Sequence, residues 1–100
     1  MTRQIQLTVN NEPITLDYFV QAFVDHSTNG MLSALEGIGE IKTEEIIIDG
    51  EKVSVKVNES PVEINPFVSK ILRNTILGMV SPLKGVNEVK TLLLKVNREA

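Results

Sequence analysis

The sequence predicts an α+β two-layer sandwich, internally duplicated as β-(short β)-α-β twice, with two helices on one face of a mainly antiparallel sheet. Three observations carry this prediction. Apolar residues alternate with polar ones at Ile5, Leu7, Val9 and again at Val53, Val55, Val57, the period of a half-buried strand. Apolar residues recur at helical spacing after Asp17 and after Asn65. The chain also matches itself, without a gap, at an offset of 48.

At that offset the identical pairs are Val9/Val57, Asn10/Asn58, Pro13/Pro61, Phe19/Phe67, Val20/Val68, Gly30/Gly78, Met31/Met79, Ser33/Ser81, Leu35/Leu83, Gly37/Gly85, Glu40/Glu88, Lys42/Lys90 and Thr43/Thr91. Average composition yields roughly three identities by chance over such a stretch. The 100 residues are read as one domain of two repeats, about 5–48 and 53–96, and each element can be read twice.

The alternating strands come first. Asn10-Asn11-Glu12-Pro13 and Asn58-Glu59-Ser60-Pro61 then turn the chain, and Ile14/Leu16 and Val62/Ile64 give short segments whose proline suits a sheet edge. Asp17 and Asn65 are N-cap residues, and Pro66 suits the first helical position, where its missing N–H leaves nothing unpaired. The second helix is expected to run to about Leu83, with Phe67, Val68, Ile71, Leu72, Ile76, Met79, Val80 and Leu83 at helical spacing. The first repeats the plan with Phe19, Val20, Phe23, Val24, Met31, Ala34 and Leu35, and Gly37 and Gly85 act as left-handed caps. Last strands follow at about 40–48 and 88–96, and Asp49-Gly50 signals a type I′ hairpin joining the halves. The long elements alone, β-α-β-β-α-β, have the element order of a ferredoxin-like sandwich, a superfold that hosts many functions.

Composition narrows the function. With no cysteine there is no disulfide framework and no thiol nucleophile, and the reducing cytoplasm is the expected compartment. The N-terminus has no apolar signal region and no run suits a membrane span. A net charge of −3 argues against nucleic acid or an anionic membrane as partner.

No motif fixes an active site, a cofactor or a metal. His26 follows Asp25, but adjacent helix residues point about 100° apart, and Arg73 and Asn74 stand at the matching positions. A compact enzyme using His26 is the weakest reading. Gly37-x-Gly39 follows a helix and precedes a strand, the reverse of a phosphate cradle.

Charge is more informative. Residues 6–48 hold seven acids against Lys42, a balance of −6, whereas residues 54–96 hold six bases against three acids, +3. Asp25 and Glu36 match Arg73 and Lys84, giving the helices candidate flanks of opposite sign. The apolar arc of the second helix spans about 200°, leaving Ile76, Leu77 and Val80 as a candidate interface. The expected function is non-enzymatic: self-association as a homodimer through the helical layer, or docking to another protein. A small-ligand regulatory domain, its ligand between subunits or near Gly37 and Gly85, is the alternative. Gly30 and Gly78, each followed by Met, are expected to be helix-packing glycines.

Overall fold

The two most apolar strand segments, Ile46-Ile47-Ile48 and Leu92-Leu93-Leu94, lie side by side at the centre of one sheet. The computed structural model describes residues 3–98. In chain order its elements are β1 (Gln4–Val9), β2 (Glu12–Pro13), α1 (Tyr18–Ser33), β3 (Thr43–Asp49), β4 (Lys52–Val57), β5 (Ser60–Val62), α2 (Pro66–Val80) and β6 (Thr91–Asn97). The six strands form one sheet in the order β2-β1-β6-β3-β4-β5. Every neighbouring pair is antiparallel. The short strands carrying Pro13 and Pro61 take the edges, where a missing N–H breaks no ladder.

The register assigns each side chain to a face. Leu7, Leu94, Ile46 and Val55 form one row across the long strands, flanked by the rows Val9, Leu92, Ile48, Val53 and Ile5, Val96, Glu44, Val57. Most of these are buried and join one core with Val24 and Leu32 of α1 and Leu72, Ile76 and Val80 of α2. Both helices therefore cover this face. The opposite face carries Gln6, Lys95, Glu45 and Lys56 in one row and Thr8, Leu93, Ile47 and Ser54 in the next, and none of these eight residues is fully buried.

The helices begin where the caps predict. Asp17 and Asn65 accept 2.8 Å hydrogen bonds from the N–H groups of Val20 and Val68, satisfying donors that a first turn leaves free. The helices end earlier than their apolar spacing suggests. Pro82 cannot supply the next helical N–H, and beyond Val80 the chain continues in turns closed by Leu83 N–H to Val80 O and Val86 N–H to Leu83 O. Gly37 (φ 81°) and Gly85 (φ 89°) adopt the left-handed conformation in those following turns.

The hairpins also differ from expectation in one place. Asp49 is paired with Lys52 as strand, so the two-residue loop is Gly50–Glu51. Only Gly50 has positive φ, 62°, which suits a type II′ turn rather than I′. Positive φ at both loop residues occurs at Asn10–Asn11 (51°, 67°) and Asn58–Glu59 (51°, 69°), the condition for type I′.

Asn10 and Asn58 do more than turn the chain. The Asn10 side chain accepts from the N–H groups of Lys90 and Thr91 and donates to Glu88 O. Asn58, 48 residues later, accepts from Lys42 and Thr43 and donates to Glu40 O. Each hairpin thus fastens the segment entering the central strand of the other half. The Glu40/Glu88 and Lys42/Lys90 correspondence is used here through the backbone.

Numbered by long strands alone, the spatial order is first, fourth, second, third. A ferredoxin-like sheet shares the succession of elements but centres its first and third long strands. Here the strands that follow the helices are central, because they carry the unbroken apolar runs, whereas β1 and β4 alternate with polar residues. The ferredoxin-like likeness is confined to order along the chain.

Candidate interaction surface

The largest apolar side chains of this protein lie outside its core. Tyr18, Phe19, Phe23 and Phe67 are 80%, 72%, 48% and 71% exposed, and Ile71 is 44% exposed. The four aromatics are the only ones in the chain. All lie in the first turns of the helices, and the Phe19 and Phe23 rings stack at 6.1 Å with an interplanar angle of 17°. Phe19 and Phe23 stand 48 positions before Phe67 and Ile71, so each helix carries an apolar patch at its start. Because β1 and β4 run in opposite directions, the patches lie toward opposite ends of the helical layer.

The expected interface lies in the core. Ile76 and Val80, read as interface, are buried at 0% and 1% exposure, and Leu77 is partly buried against the core. An apolar arc of 200° is wider than one sheet can cover, so one flank must face outward. Helix α2 turns Leu72, Ile76 and Val80 to the sheet, sending Phe67 and Ile71 to the surface.

Gly30 and Gly78 are likewise exposed. A Cβ added at either would meet nothing within 4 Å, so neither glycine packs a helix within the chain. They lie on the same outward stripe as the aromatics: Phe19, Phe23, His26, Gly30 and Ser33 on α1, and Phe67, Ile71, Asn74, Gly78 and Ser81 on α2, are all exposed. The water-facing side of α1 carries no Asp, Glu, Lys or Arg, because the one such residue in Tyr18–Ser33 is Asp25, which is buried.

That burial also corrects the expected acidic flank. Asp25 accepts from Arg3 Nε at 2.6 Å through Oδ2 and from Arg98 Nε at 2.5 Å through Oδ1. Arg98 Nη2 donates to Asp25 O at 3.0 Å and lies 2.7 Å from Glu44 Oε1, an ion pair without hydrogen-bond alignment. Thr28, fully buried beside them, donates to Val24 O. Burial pushes the Glu44 carboxyl above the ordinary glutamate range, opposed by Thr28 and the Arg98 guanidinium. In the other half the matching residues of Thr28 and Glu44 are Ile76 and Leu92, both core. Arg73, the counterpart of Asp25, donates through Nε to Gly50 O at 2.7 Å. Glu36 and Lys84 alone remain as exposed members of the predicted flanks.

No family model, curated protein or solved structure matches this chain.

His26 is exposed on the outward stripe, whereas Asp25 is held inward by two arginines, so the pair is not assembled for acid–base chemistry. Among the described residues no three His, Cys, Asp or Glu side chains are placed to hold a metal ion. No described helix is long and apolar enough to cross a membrane. The open sheet face has a shallow groove of about 640 Å³, where Glu45 sits 3.8 Å from Lys56 and 3.7 Å from Lys95, with Gln4, Gln6 and Thr43 around them. The sequence missed the surface aromatics because amphipathic spacing makes a phenylalanine read as core. The signal available was the charge-free remainder of α1: a solvated helix face ordinarily carries charges.

Proposed function

We propose that this protein is a non-enzymatic association module that works as a homodimer through the outward face of its helical layer. The observation that carries this reading is that every aromatic side chain of the chain is exposed there. Interfaces are enriched in aromatics and depleted in charge at their centre, and exposed apolar patches mark interaction sites. The matching halves support an origin by duplication of one β-(short β)-α-β unit, which would endow each helix with the same patch. The cysteine-free composition suits the cytoplasm.

Sedimentation velocity from low micromolar to several hundred micromolar tests the reading. A concentration-dependent shift toward twice the chain mass is expected, and Phe19→Glu should abolish it while leaving the far-ultraviolet circular dichroism unchanged. A monomer throughout that range would sink the homodimer. The groove on the sheet favours a small-ligand reading at a place other than the expected one: its volume lies in the range of ligand sites, and its lining includes neither Gly37 nor Gly85. A thermal-shift screen of small polar compounds tests it, because a ligand bound only by the native state raises the midpoint.

A further inference from the structure

Resting on the homodimer reading, we propose how the two copies meet: α1 packs antiparallel on α1 of a second copy about a two-fold axis near His26, seating Phe19 and Phe23 over the partner's Ala34 and Gly30. The outward stripe of α1 has an order that makes it self-complementary. Large side chains occupy its first half, at Phe19 and Phe23, and minimal ones its second half, at Gly30, Ser33 and Ala34, all exposed. In an antiparallel pair the facing positions sum to a constant. The sum that places Phe23 over Gly30 also places Phe19 over Ala34, and its midpoint falls between His26 and Ser27.

Gly30 is suited to receive a ring, since the space above its Cα is empty and helices approach closely where a Cβ is missing. A two-fold contact sets residue i against j and j against i. The stripe itself carries no charge to oppose; at its rims the exposed acids Asp17 and Glu36 of the two copies face each other, so salt should strengthen the contact. The outward face of α2 is less suited, as Lys70 stands exposed beside Phe67 and Ile71.

The size suits a weak dimer. Aromatic side chains of roughly 200 Å² each, at the exposures of Phe19 and Phe23, present roughly 240 Å² per copy. That is roughly a third of the ~800 Å² that each partner brings to a standard interface, and with His26, Gly30, Ser33 and Ala34 added the contact stays at the low end, the range of weak and transient partners.

Cysteine cross-linking tests the register cleanly because the chain has no native cysteine. Facing residues at the crossing of two packed helices come within the roughly 4.4–6.8 Å Cα separation that a disulfide needs. His26→Cys is expected to form a covalent dimer under mild oxidation, and Asn74→Cys, its counterpart on α2, is not. A second variant reads the contact without oxidation: Gly30→Leu should raise the dimer dissociation constant at least tenfold while leaving the monomer folded, since its added side chain enters open space. A dimer cross-linked through Asn74→Cys but not His26→Cys, or one indifferent to Gly30→Leu, overturns this arrangement and leaves self-association standing. A monomeric wild type overturns both.

Discussion

Ile46 of β3 and Leu94 of β6 are directly paired across the centre of the sheet, and they are counterparts at the 48-residue offset. A residue can face its own counterpart only where a two-fold relation passes between them. The flanking registers obey the same relation: Leu7 pairs with Leu94 as Val55 pairs with Ile46, each residue exchanged for the one 48 positions away.

That relation makes the two asparagines a matched pair for measurement. Each holds a left-handed turn position and three side-chain hydrogen bonds to the opposite half. Alanine in this conformation costs about 1–2 kcal/mol, and each lost hydrogen bond has a net value of about 0.5–1.5 kcal/mol. Asn10→Ala and Asn58→Ala should each lose at least about 2 kcal/mol in urea unfolding, and by similar amounts. A loss at one site and none at the other would show that the two bonded sets are not energetically equivalent.

The placement of core and surface on α2 has its own energetic signature. Ile76 is fully buried, so Ile76→Ala should cost about 2–5 kcal/mol through lost transfer energy and a cavity. Phe67→Ala removes a larger side chain but one that is mostly exposed, and at concentrations below dimerisation it should change stability by less than about 1 kcal/mol. The reverse ranking in chemical denaturation would place Phe67 in the core after all.

Which parts of this were legible in the sequence follows from what each signal encodes. Caps and turns are local, so Asp17, Asn65 and the Asn10 and Asn58 turns could be read directly. The order of strands is not local: it depends on which strand loses most by exposure, and the runs Ile46-Ile48 and Leu92-Leu94 decide it only after competing with β1 and β4. Helix rotation is less legible still. The spacing in α2 fits inward Ile76 and outward Phe67 as well as the reverse, and the choice rests on packing against the sheet. Asp25 was unreadable for another reason, since its partners Arg3 and Arg98 lie 22 and 73 residues away.

Removing that carboxylate should be severe. Asp25→Ala leaves Arg98, whose side chain is 8% exposed, with a buried charge and, among the described residues, only the misaligned carboxylate of Glu44 opposite. Breaking one partner of a buried pair costs about 3–5 kcal/mol. Replacing Asp25 by Asn, which keeps the acceptor oxygen but not the charge, should recover part of that loss in the same urea titration.

Gly78 sits in mid-helix with open space above it, so its cost to the helix is not offset by contact within the chain. Gly78→Ala should gain about 0.5–1 kcal/mol from helix propensity and a less disordered unfolded state, seen as a raised denaturation midpoint. A loss instead would mean that the space is occupied in solution by something other than the described residues, none of which lies there.

Glu44 gives stability a pH dependence opposite in sign to that of a salt-bridged carboxylate. Burial raises its pKa in the folded chain, so between the ordinary glutamate value and the raised one the native state binds more protons at this site than the unfolded state. Stability from this group is therefore fully present at low pH and falls as pH rises through that interval. Glu44→Gln removes the titration while keeping the size and shape of the side chain. The difference in unfolding free energy, variant minus wild type, should increase from pH 4 upward and level off above the raised pKa. A difference that stays flat or declines across that range would show that Arg98 and Thr28 outweigh desolvation and hold the carboxylate ionised.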